Sequence, residues 1–359
     1  MIDISIVIVN YRVKEYVVNL IESVEKAKRK LNLQIIVIDN NSNDGSLSYL
    51  KQRFPLLTYI QNEKNLGFGK ANNQGFNLAR GEFTLIINPD TIVSENTLQI
   101  MVNHMHRYLN CGACGCKILN PDGSFAPESK RSVPTITTAI TKVFGLNTLF
   151  PKSKVFGSYH LGWIDENEES EIEVLSGCFM FWRTHVLQQL DGFDERFFMY
   201  GEDIDLCFRI QKTQFRINYV PTTSIIHYKG ESTRKGDLRY VRIFNKALYQ
   251  FLEKHYSSEY SLIFRVFIFL AITLRIGISF IYNNVRLIGF IMSDLLLLNI
   301  SVIIGFLLRF SLEYDAIINF KNLHYLWINV LAYNFPQRLD KYCSYLNDNG
   351  VEMRGLGAD

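Results

Sequence analysis

The chain opens with an alternation of short apolar runs and segments of helical spacing. Residues 4–9 and 34–38 are continuous runs of mostly β-branched residues, the pattern of strands buried on both faces. Between them, residues 13–31 carry apolar side chains at helical spacing and end in basic residues, which favour a helix C-terminus. Further helices and strands alternate up to a strand at residues 83–87. This alternation predicts an α/β domain with a mostly parallel sheet flanked by helices.

Polar side chains follow the predicted strands at the point where each strand ends. Asn10 and Tyr11 follow the first strand, residues 39–45 follow the second, and Asn88 and Asp90 follow the strand at 83–87. In parallel α/β sheets the ligand lies outside the carboxyl ends of the strands. The pattern therefore predicts a polar ligand site at this edge of the sheet.

Two apolar stretches near the C-terminus differ from the rest of the chain. Residues 287–308 form a 22-residue run whose only charge is Asp294, which is about the length that crosses a hydrocarbon core of about 30 Å. Residues 262–282 are also apolar but carry Arg265 and Arg275, which suit a helix that lies in the membrane interface. A buried helical subdomain is the alternative interpretation.

These patterns divide the chain into an α/β domain at residues 1–258, a hydrophobic helical membrane-associating region at 259–333 and a polar tail at 334–359. The N-terminus runs directly into a strand, without the charged region and cleavage site of a signal peptide. We therefore expect the first 260 residues in the cytoplasm, with the chain on the cytoplasmic face of a membrane, the inner membrane in a bacterium.

Composition and charge exclude several classes of protein. The 359 residues are 48% hydrophobic and 20% charged, which excludes a disordered chain or a coiled coil. Their mean hydropathy of +0.03 averages an ordinary soluble domain with the apolar C-terminal stretches. The net charge of +3 is only mildly basic and indicates no nucleic-acid partner.

Two motifs suggest nucleotide or zinc sites but do not match the residues and spacing that those sites require. The glycine cluster at residues 67–75 has Asn72 where a dinucleotide fingerprint has its third glycine, and Ala71 where a P-loop has Ser or Thr. What remains is a turn at Gly67 leading into an Asn-rich helix start that could line a polar ligand. The run CGACGC at 111–116 has no second Cys/His pair at zinc-finger spacing, so we interpret its cysteines as core residues.

The acidic residues are more informative. Asp39 and Asp90 each end a predicted strand, and residues 201–205 (GEDID) add three carboxylates at the start of a helix. A strand-end Asp can simply form an Asx turn, but several carboxylates at one edge indicate a Mg²⁺ or Mn²⁺ ion bound together with a substrate diphosphate. His227 follows another apolar strand, and a lone histidine there is more often structural than a ligand.

Taken together, seven segments resemble glycosyltransferase family 2, in particular its rhamnosyltransferase-like branch. The resemblance covers residues 3–255. The segments are 5–11 (SIVIVNY), 37–46 (VIDNNSNDGS), 65–75 (NLGFGKANNQG), 87–91 (INPDT), 118–124 (ILNPDGS), 176–183 (SGCFMFWR) and 192–209 (GFDERFFMYGEDIDLCFR).

The resemblance implies a Rossmann-like GT-A fold that binds a nucleoside-diphosphate sugar and a divalent cation, Mg²⁺ or Mn²⁺. Asp39 matches the residue that contacts the nucleotide base, and Asp90 matches the metal ligand of the DxD-like motif, which has Asn88 at its first position. His227 matches a histidine that completes the metal shell. The remaining residues expected to bind the nucleotide sugar are Asn10, Tyr11, Asn41, Gly67, Asn72 and Asn88.

The same resemblance assigns the chemistry of transfer. Asp203 matches the catalytic base of an inverting displacement, and Glu202 would support or position it. Lys130 and Arg131 could contact the diphosphate or the acceptor, although a solvent-exposed loop is the simpler interpretation. The Gln-x-x-Arg-Trp motif of processive synthases is absent from the sequence.

We therefore expect a membrane-associated inverting glycosyltransferase that transfers a sugar, rhamnose being the first candidate, to a lipid-linked saccharide in cell-envelope polysaccharide biosynthesis. The segment 293–310 resembles the first membrane helix of polyprenyl-phosphate sugar-1-phosphate transferases, which suggests an anchor. The alternatives are a non-catalytic sugar-nucleotide-binding or scaffold protein of the same fold and, more weakly, a nucleotidyltransferase.

Overall fold

The computed structural model describes most of the α/β domain and one C-terminal helix. The chain divides into two compact units, Met1–Ile278 and Ser279–Asp359. The predicted tail at 334–359 and most of the apolar stretch at 262–282 lie outside the described residues. The described residues are 1–135, 137–138, 141, 146–229, 238–256, 273–274, 277–278, 282 and 284–310.

The strands and helices follow one another in the order that the sequence pattern predicts for the first hundred residues. The strands are β1 (Ile4–Asn10), β2 (Leu33–Asp39), β3 (Thr58–Gln61), β4 (Phe83–Ile87), β5 (Thr91–Val93), β6 (Cys111–Leu119), β7 (Ser170–Ile172), β8 (Phe179–Arg183) and β9 (Arg216–His227). The helices are α1 (Lys14–Ala27), α2 (Ser46–Arg53), α3 (Phe68–Phe76), α4 (Thr97–Arg107), α5 (Leu146–Leu149), α6 (Thr184–Gln189), α7 (Glu202–Ile210), α8 (Leu238–Tyr256) and α9 (Val285–Phe310).

Helix α1 ends earlier than its sequence pattern predicts. The pattern extends to residue 31, whereas the helix stops at Ala27. Arg29 has a φ of 47°, in the left-handed region, and a right-handed helix cannot continue through that conformation. The basic residues at 28–30 therefore form a turn into β2.

The sheet is mixed, so the prediction of a mostly parallel sheet is wrong for its second half. The strand order is β3-β2-β1-β4-β8-β6-β9-β5, and β7 pairs with the far side of β9. Strands β1 to β4 are parallel neighbours, but β8 is antiparallel to both β4 and β6. Antiparallel pairing does not require the helical crossover that joins parallel neighbours, and β8 runs opposite to both strands that flank it.

The core lies on both faces of the parallel half of the sheet. Successive residues of β1 point to opposite faces, so Ile6 packs into one hydrophobic cluster with α1 and α4, while Val7 packs into the other with α3 and α7. Both residues are fully buried, which confirms the prediction that this strand is covered on both sides. Cys111, Cys114 and Cys116 are free and buried in β6, as expected for core residues.

The C-terminal unit contains α9, whose side chains are largely exposed where they are described. Phe290, Met292, Leu296 and Leu297 are each more than half exposed. Within the described residues, no helix meets the combination of length and apolarity that a membrane span requires.

Candidate active site

The first part of the site is a polar cluster where β1 and β2 end. Asn10 and Asp39 are directly opposite each other in the parallel register. The Asn10 amide nitrogen donates to Asp39 Oδ1 at 2.9 Å and to the hydroxyl groups of Ser42 and Ser46. Asn10 thereby fixes the orientation of the Asp39 carboxylate, which is only 3% exposed. Tyr11 and Asn41 are half-buried next to this cluster.

The second part is the loop that leads into α3, and Asn40 holds it in place. Asn40 donates to Asn65 Oδ1 at 3.0 Å and to the carbonyl oxygen of Gly67 at 3.2 Å. Its own side-chain oxygen accepts from the backbone N–H of Leu66. The loop that carries the glycine turn is thus fastened to the end of β2. Sequence reasoning did not single out Asn40, although its position next to Asp39 was the available signal.

Gly67 occupies a position that excludes a side chain. Its φ is 85°, and a Cβ atom built there would lie 2.3 Å from the carbonyl oxygen of Phe198. The next residue, Phe68, donates its N–H to that same carbonyl oxygen at 2.8 Å. Asn72 lies one turn further on, is 1% exposed, and donates to the carbonyl oxygen of Phe68.

The third part is formed by Asp90 and His227, which the fold brings together from β5 and β9. Thr91 and His227 are opposite each other in the antiparallel pairing of these strands. His227 Nε2 lies 3.2 Å from Asp90 Oδ1, and both side chains are largely buried. Burial lowers the pKa of His227, but Cys178 and Asp90 raise it by more, to about 10. The predicted pairing of these two residues at one place is present in the structure.

The last part is the start of α7, which is connected to Asn88, the residue that follows β4. The backbone N–H of Asn88 donates to the carbonyl oxygen of Cys178 at 3.0 Å, and the N–H of Gly177 donates to Asp203 Oδ2 at 3.3 Å. The dipeptide 177–178 therefore bonds to the Asn88 segment on one side and to the Asp203 carboxylate on the other. The Asn88 segment and the Asp203 side chain are therefore linked through this dipeptide.

The two carboxylates at the start of α7 have different surroundings. Asp203 Oδ2 accepts from Arg131 Nη2 at 2.5 Å. Glu202 is 5% exposed, and within the described residues its Oε2 has no hydrogen-bond partner. Burial and the charge of Asp203 raise the pKa of Glu202 to about 8. Glu202 is therefore predominantly protonated at neutral pH.

The interpretation of Lys130 and Arg131 as part of a solvent-exposed loop is wrong. Lys130 is 2% exposed and donates to the carbonyl oxygens of Leu161 and Ile164 at 2.8 and 2.6 Å. A lysine that is buried against backbone carbonyl groups is held away from a diphosphate. Arg131 is also largely buried, and its guanidinium pairs with Asp203. The sequence around Lys130 and Arg131 does not reveal this burial, because the groups that bind the two side chains lie more than 30 residues away in the chain.

The third carboxylate of the GEDID run points away from the site. Asp205 is fully buried and accepts hydrogen bonds from Lys254 and His255 of α8 and from Arg209, at 2.6 to 2.8 Å. Burial raises the pKa of Asp205, but His255 and Lys254 lower it by more. Asp205 therefore fastens α8 to the helix that carries Glu202 and Asp203.

Two family models match consecutive parts of the α/β domain. Residues 5–162 match the model of the glycosyl transferase family 2, and residues 165–231 match a model described as the N-terminal domain of galactosyltransferase. Residues 5–162 belong to glycosyltransferase family 2. The family that the sequence motifs indicated is thereby confirmed, and the chain is a rhamnosyltransferase-like glycosyltransferase.

Two relatives are similar over most of the α/β domain. The chain is 28% identical over 238 residues to the N-acetylglucosaminyl-diphospho-decaprenol L-rhamnosyltransferase of Mycobacterium tuberculosis, which covers 63% of this chain and 76% of that protein. It is 25% identical over 260 residues to the rhamnosyltransferase WbbL of Escherichia coli K12, covering 70% of this chain and 93% of that protein.

Among solved structures, GalNAc-T7 with UDP, GalNAc and Mn²⁺ has the same fold, with a TM-score of 0.52 at 17% sequence identity. The match covers 70% of this chain and 48% of that one, so this chain spans about half the length of GalNAc-T7. The predicted GT-A-like α/β fold is therefore confirmed, with the mixed sheet described above.

The close approach of Gly67 to Phe198 can be tested by substitution, with Gly123 as the control. Gly123 has a similar φ of 81°, but no described atom lies within 4 Å of the position that a Cβ atom would take there. Gly123→Ala should therefore lower the free energy of unfolding by only about 1 kcal/mol, the cost of the left-handed backbone. Gly67→Ala should cost about 2 kcal/mol more because the Phe198 carbonyl must move, and it should also raise the KM for the nucleotide sugar.

Urea unfolding and donor titration measure both effects. Equal losses of stability in the two variants, with an unchanged donor KM, would show that the contact with Phe198 does not shape the loop.

Proposed function

We propose that this protein is an inverting glycosyltransferase that transfers a sugar, rhamnose being the first candidate, to a lipid-linked saccharide in cell-envelope polysaccharide biosynthesis. The main support for the proposal is the pair of hydrogen bonds made by the dipeptide 177–178. One joins it to the Asn88 segment and the other joins it to the Asp203 carboxylate. It supports a single site with a proposed cation ligand, Asp90, on one side and a proposed base, Asp203, on the other. The names of the two relatives support rhamnose and a lipid-diphosphate acceptor.

The proposed reaction is one displacement at the anomeric carbon of the donor sugar. The acceptor hydroxyl oxygen attacks that carbon while its proton passes to Asp203. The bond between the anomeric carbon and the diphosphate oxygen breaks, and the electron pair leaves with the nucleoside diphosphate. Glu202, which is protonated at neutral pH, is a hydrogen-bond donor beside the reacting groups.

The donor would bind along the strand ends. Asp39, oriented by Asn10, is placed to accept a hydrogen bond from the nucleotide base, with Tyr11 and Asn41 beside it. The glycine turn at Gly67 lets the backbone approach the donor closely, and Asn72 and Asn88 complete the amide-rich surface of the site.

Asp90 and His227 fit a divalent cation such as Mg²⁺ or Mn²⁺, provided that the cation displaces the proton that His227 holds beside Asp90. Their oxygen and imidazole donors lie together, and within the described residues His227 Nδ1 is buried without a hydrogen-bond partner. No group of three His, Cys, Asp or Glu side chains among those residues could hold a metal. We therefore propose two protein ligands, with donor phosphate oxygens and water as the others. When bound, the cation would neutralise the departing diphosphate.

The exposed apolar side chains of α9 support association with a membrane. Met292, Leu296 and Leu297 are each more than half exposed. A surface with this many neighbouring apolar side chains is typical of protein or membrane contact. Since the proposed acceptor carries a lipid, we propose a location on the cytoplasmic face of the membrane, the inner membrane in a bacterium.

Replacement of the proposed base tests the reaction. Asp203→Asn should lower kcat by about 10²- to 10⁴-fold, the usual contribution of a general base, while donor binding measured by thermal shift persists. The exposed Asp191, in the same stretch of chain, provides the control, and Asp191→Asn should retain wild-type turnover.

The assay combines a panel of nucleoside-diphosphate sugars, including rhamnose, with N-acetylglucosaminyl-diphospho-polyprenol. Near wild-type turnover in Asp203→Asn would remove Asp203 as the base. Donor binding without transfer in the wild-type protein would favour the non-catalytic alternative, and release of pyrophosphate would favour a nucleotidyltransferase.

The chain contains a matched control for the cation site, because the tripeptide Asn-Pro-Asp occurs at 88–90 and at 120–122. Asp90 is 4% exposed beside His227, whereas Asp122 lies in an exposed turn bonded to Ser124. With Mn²⁺ and a nucleoside diphosphate at 100 times Kd, the wild-type protein should gain about 2.7 kcal/mol of stability.

Asp90→Asn should abolish most of the Mn²⁺-dependent part of this gain, and Asp122→Asn should keep it. Differential scanning fluorimetry with and without Mn²⁺ measures the gain. An Mn²⁺ response in Asp90→Asn that equals the wild-type response would exclude Asp90 as a ligand.

Membrane association is tested by flotation of the full chain with phosphatidylethanolamine/phosphatidylglycerol vesicles. Replacing Leu296 and Leu297 together by Asp should reduce the vesicle-bound fraction at least tenfold, because burial of each leucine side chain is worth about 1.5–3 kcal/mol. Leu109, which is 75% exposed in the α/β domain, provides the control variant Leu109→Asp. Equal flotation of all three proteins would contradict the proposal.

A further inference from the structure

Arg131 is a largely buried cation whose contacts converge on the proposed base. Its side chain is 11% exposed, and Nη2 donates to Asp203 Oδ2 at 2.5 Å and to the carbonyl oxygen of Leu175. Burial lowers the pKa of Arg131, but Asp203 and Tyr159 raise it by more, so the guanidinium stays charged. A charged group of this kind is stable in the interior only when it is paired.

The backbone that carries Arg131 is held from two sides. The carbonyl oxygen of Arg131 accepts from the N–H of Val174 at 2.9 Å. The neighbouring Lys130 is fastened to Leu161 and Ile164, as described above. The guanidinium is therefore presented to Asp203 from a fixed segment rather than from a loose loop.

The two oxygens of Asp203 are used differently. Oδ2 accepts from both Arg131 and the N–H of Gly177, so two donors anchor it. Oδ1 accepts only a local bond from the N–H of Ile204, the next residue in the helix, among the contacts that the structure describes. This division leaves Oδ1 as the oxygen that can take a proton from an acceptor hydroxyl.

The charged and titratable groups around Asp203 also favour its assignment as the group that takes the proton. Arg131 faces it from the 130–133 segment, with Tyr159 behind the guanidinium. Glu202 and Cys207 face it from its own helix, and burial keeps both of these predominantly protonated at neutral pH, with a pKa of about 8 for Glu202 and about 12 for Cys207. Within the described residues, Arg131 therefore supplies the positive charge that lies next to Asp203.

We propose that Arg131 is the positioning residue of the proposed general base: its guanidinium pairs with the Asp203 side chain and anchors one carboxylate oxygen so that the other faces the acceptor. The inference rests on the proposed function, because it presupposes that Asp203 is the base. It replaces the sequence-based expectation that Arg131 contacts the diphosphate or the acceptor directly.

The test compares the pH dependence of transfer in Arg131→Gln and in the wild-type protein. Because the substitution removes the positive charge that pairs with the proposed base, the acid limb of kcat/KM should move up by about one pH unit or more. At pH 7, kcat should fall at least about tenfold, whereas the donor KM and the Mn²⁺-dependent thermal shift should stay within about twofold of wild type.

Arg183 provides a control for the loss of a buried arginine. Its guanidinium donates to the backbone carbonyl oxygens of Cys111, Met105 and Tyr108 and is 8% exposed. Arg183→Gln should lower the unfolding midpoint in urea but leave the pH profile in place. An Arg131→Gln profile that superposes on the wild-type profile would overturn the proposal.

If Arg131→Gln does not fold, Arg131→Lys provides the test instead. An ammonium group keeps the charge but lacks the planar fork that reaches Asp203 and the Leu175 carbonyl together. In the folded lysine variant, kcat at pH 7 should fall at least about tenfold, and wild-type kcat would overturn the proposal. Full activity in Asp203→Asn is a different outcome, since it would reject the base assignment itself.

Discussion

The Asp203 carboxylate, whose side chain is 13% exposed, pairs with the guanidinium of Arg131, which lies 72 residues away in the sequence. Removing one partner of such a pair typically costs about 3–5 kcal/mol. The pair therefore makes the start of α7 depend on the segment that carries Arg131. Since the N–H of Gly177 also donates to Asp203, the start of α7, the dipeptide 177–178 and the segment at 130–133 are joined through one carboxylate.

Amide side chains organise the other side of the site. Asn10 orients Asp39, Asn40 ties the Gly67 loop to β2, and Asn73 joins α3 to Phe193 through bonds to both its N–H and its carbonyl oxygen. An amide can donate and accept at once, so it can satisfy buried backbone groups without adding charge. Asp39 therefore has neutral hydrogen-bond partners, Asn10 and the backbone N–H of Ser42.

Prediction from the sequence succeeded where a local pattern and the physics of a single element suffice. The buried strands at 4–9 and 34–38 follow from β-branched runs, and the placement of Asp39 and Asp90 follows from the rule that ligands lie at strand ends. The direction of β8 could not be predicted, because an irregular connection sets no handedness. Lys130 and Arg131 were misjudged for a related reason: a polar pair in a loop has the same pattern whether its partners are water or distant carbonyl and carboxylate groups.

The sequence by itself determined the family, the order of elements in the first half of the domain and the residues that end each strand. Only the tertiary structure decided which of the clustered acids does what. Asp205 forms ion pairs with Lys254 and His255 of α8, and Asp203 pairs with the guanidinium of Arg131. Glu202 is buried, its Oε2 has no hydrogen-bond partner among the described residues, and burial raises its pKa to about 8. The physical reason is that the protonation and orientation of a carboxylate depend on burial and on nearby charges, and folding brings those charges from distant parts of the chain.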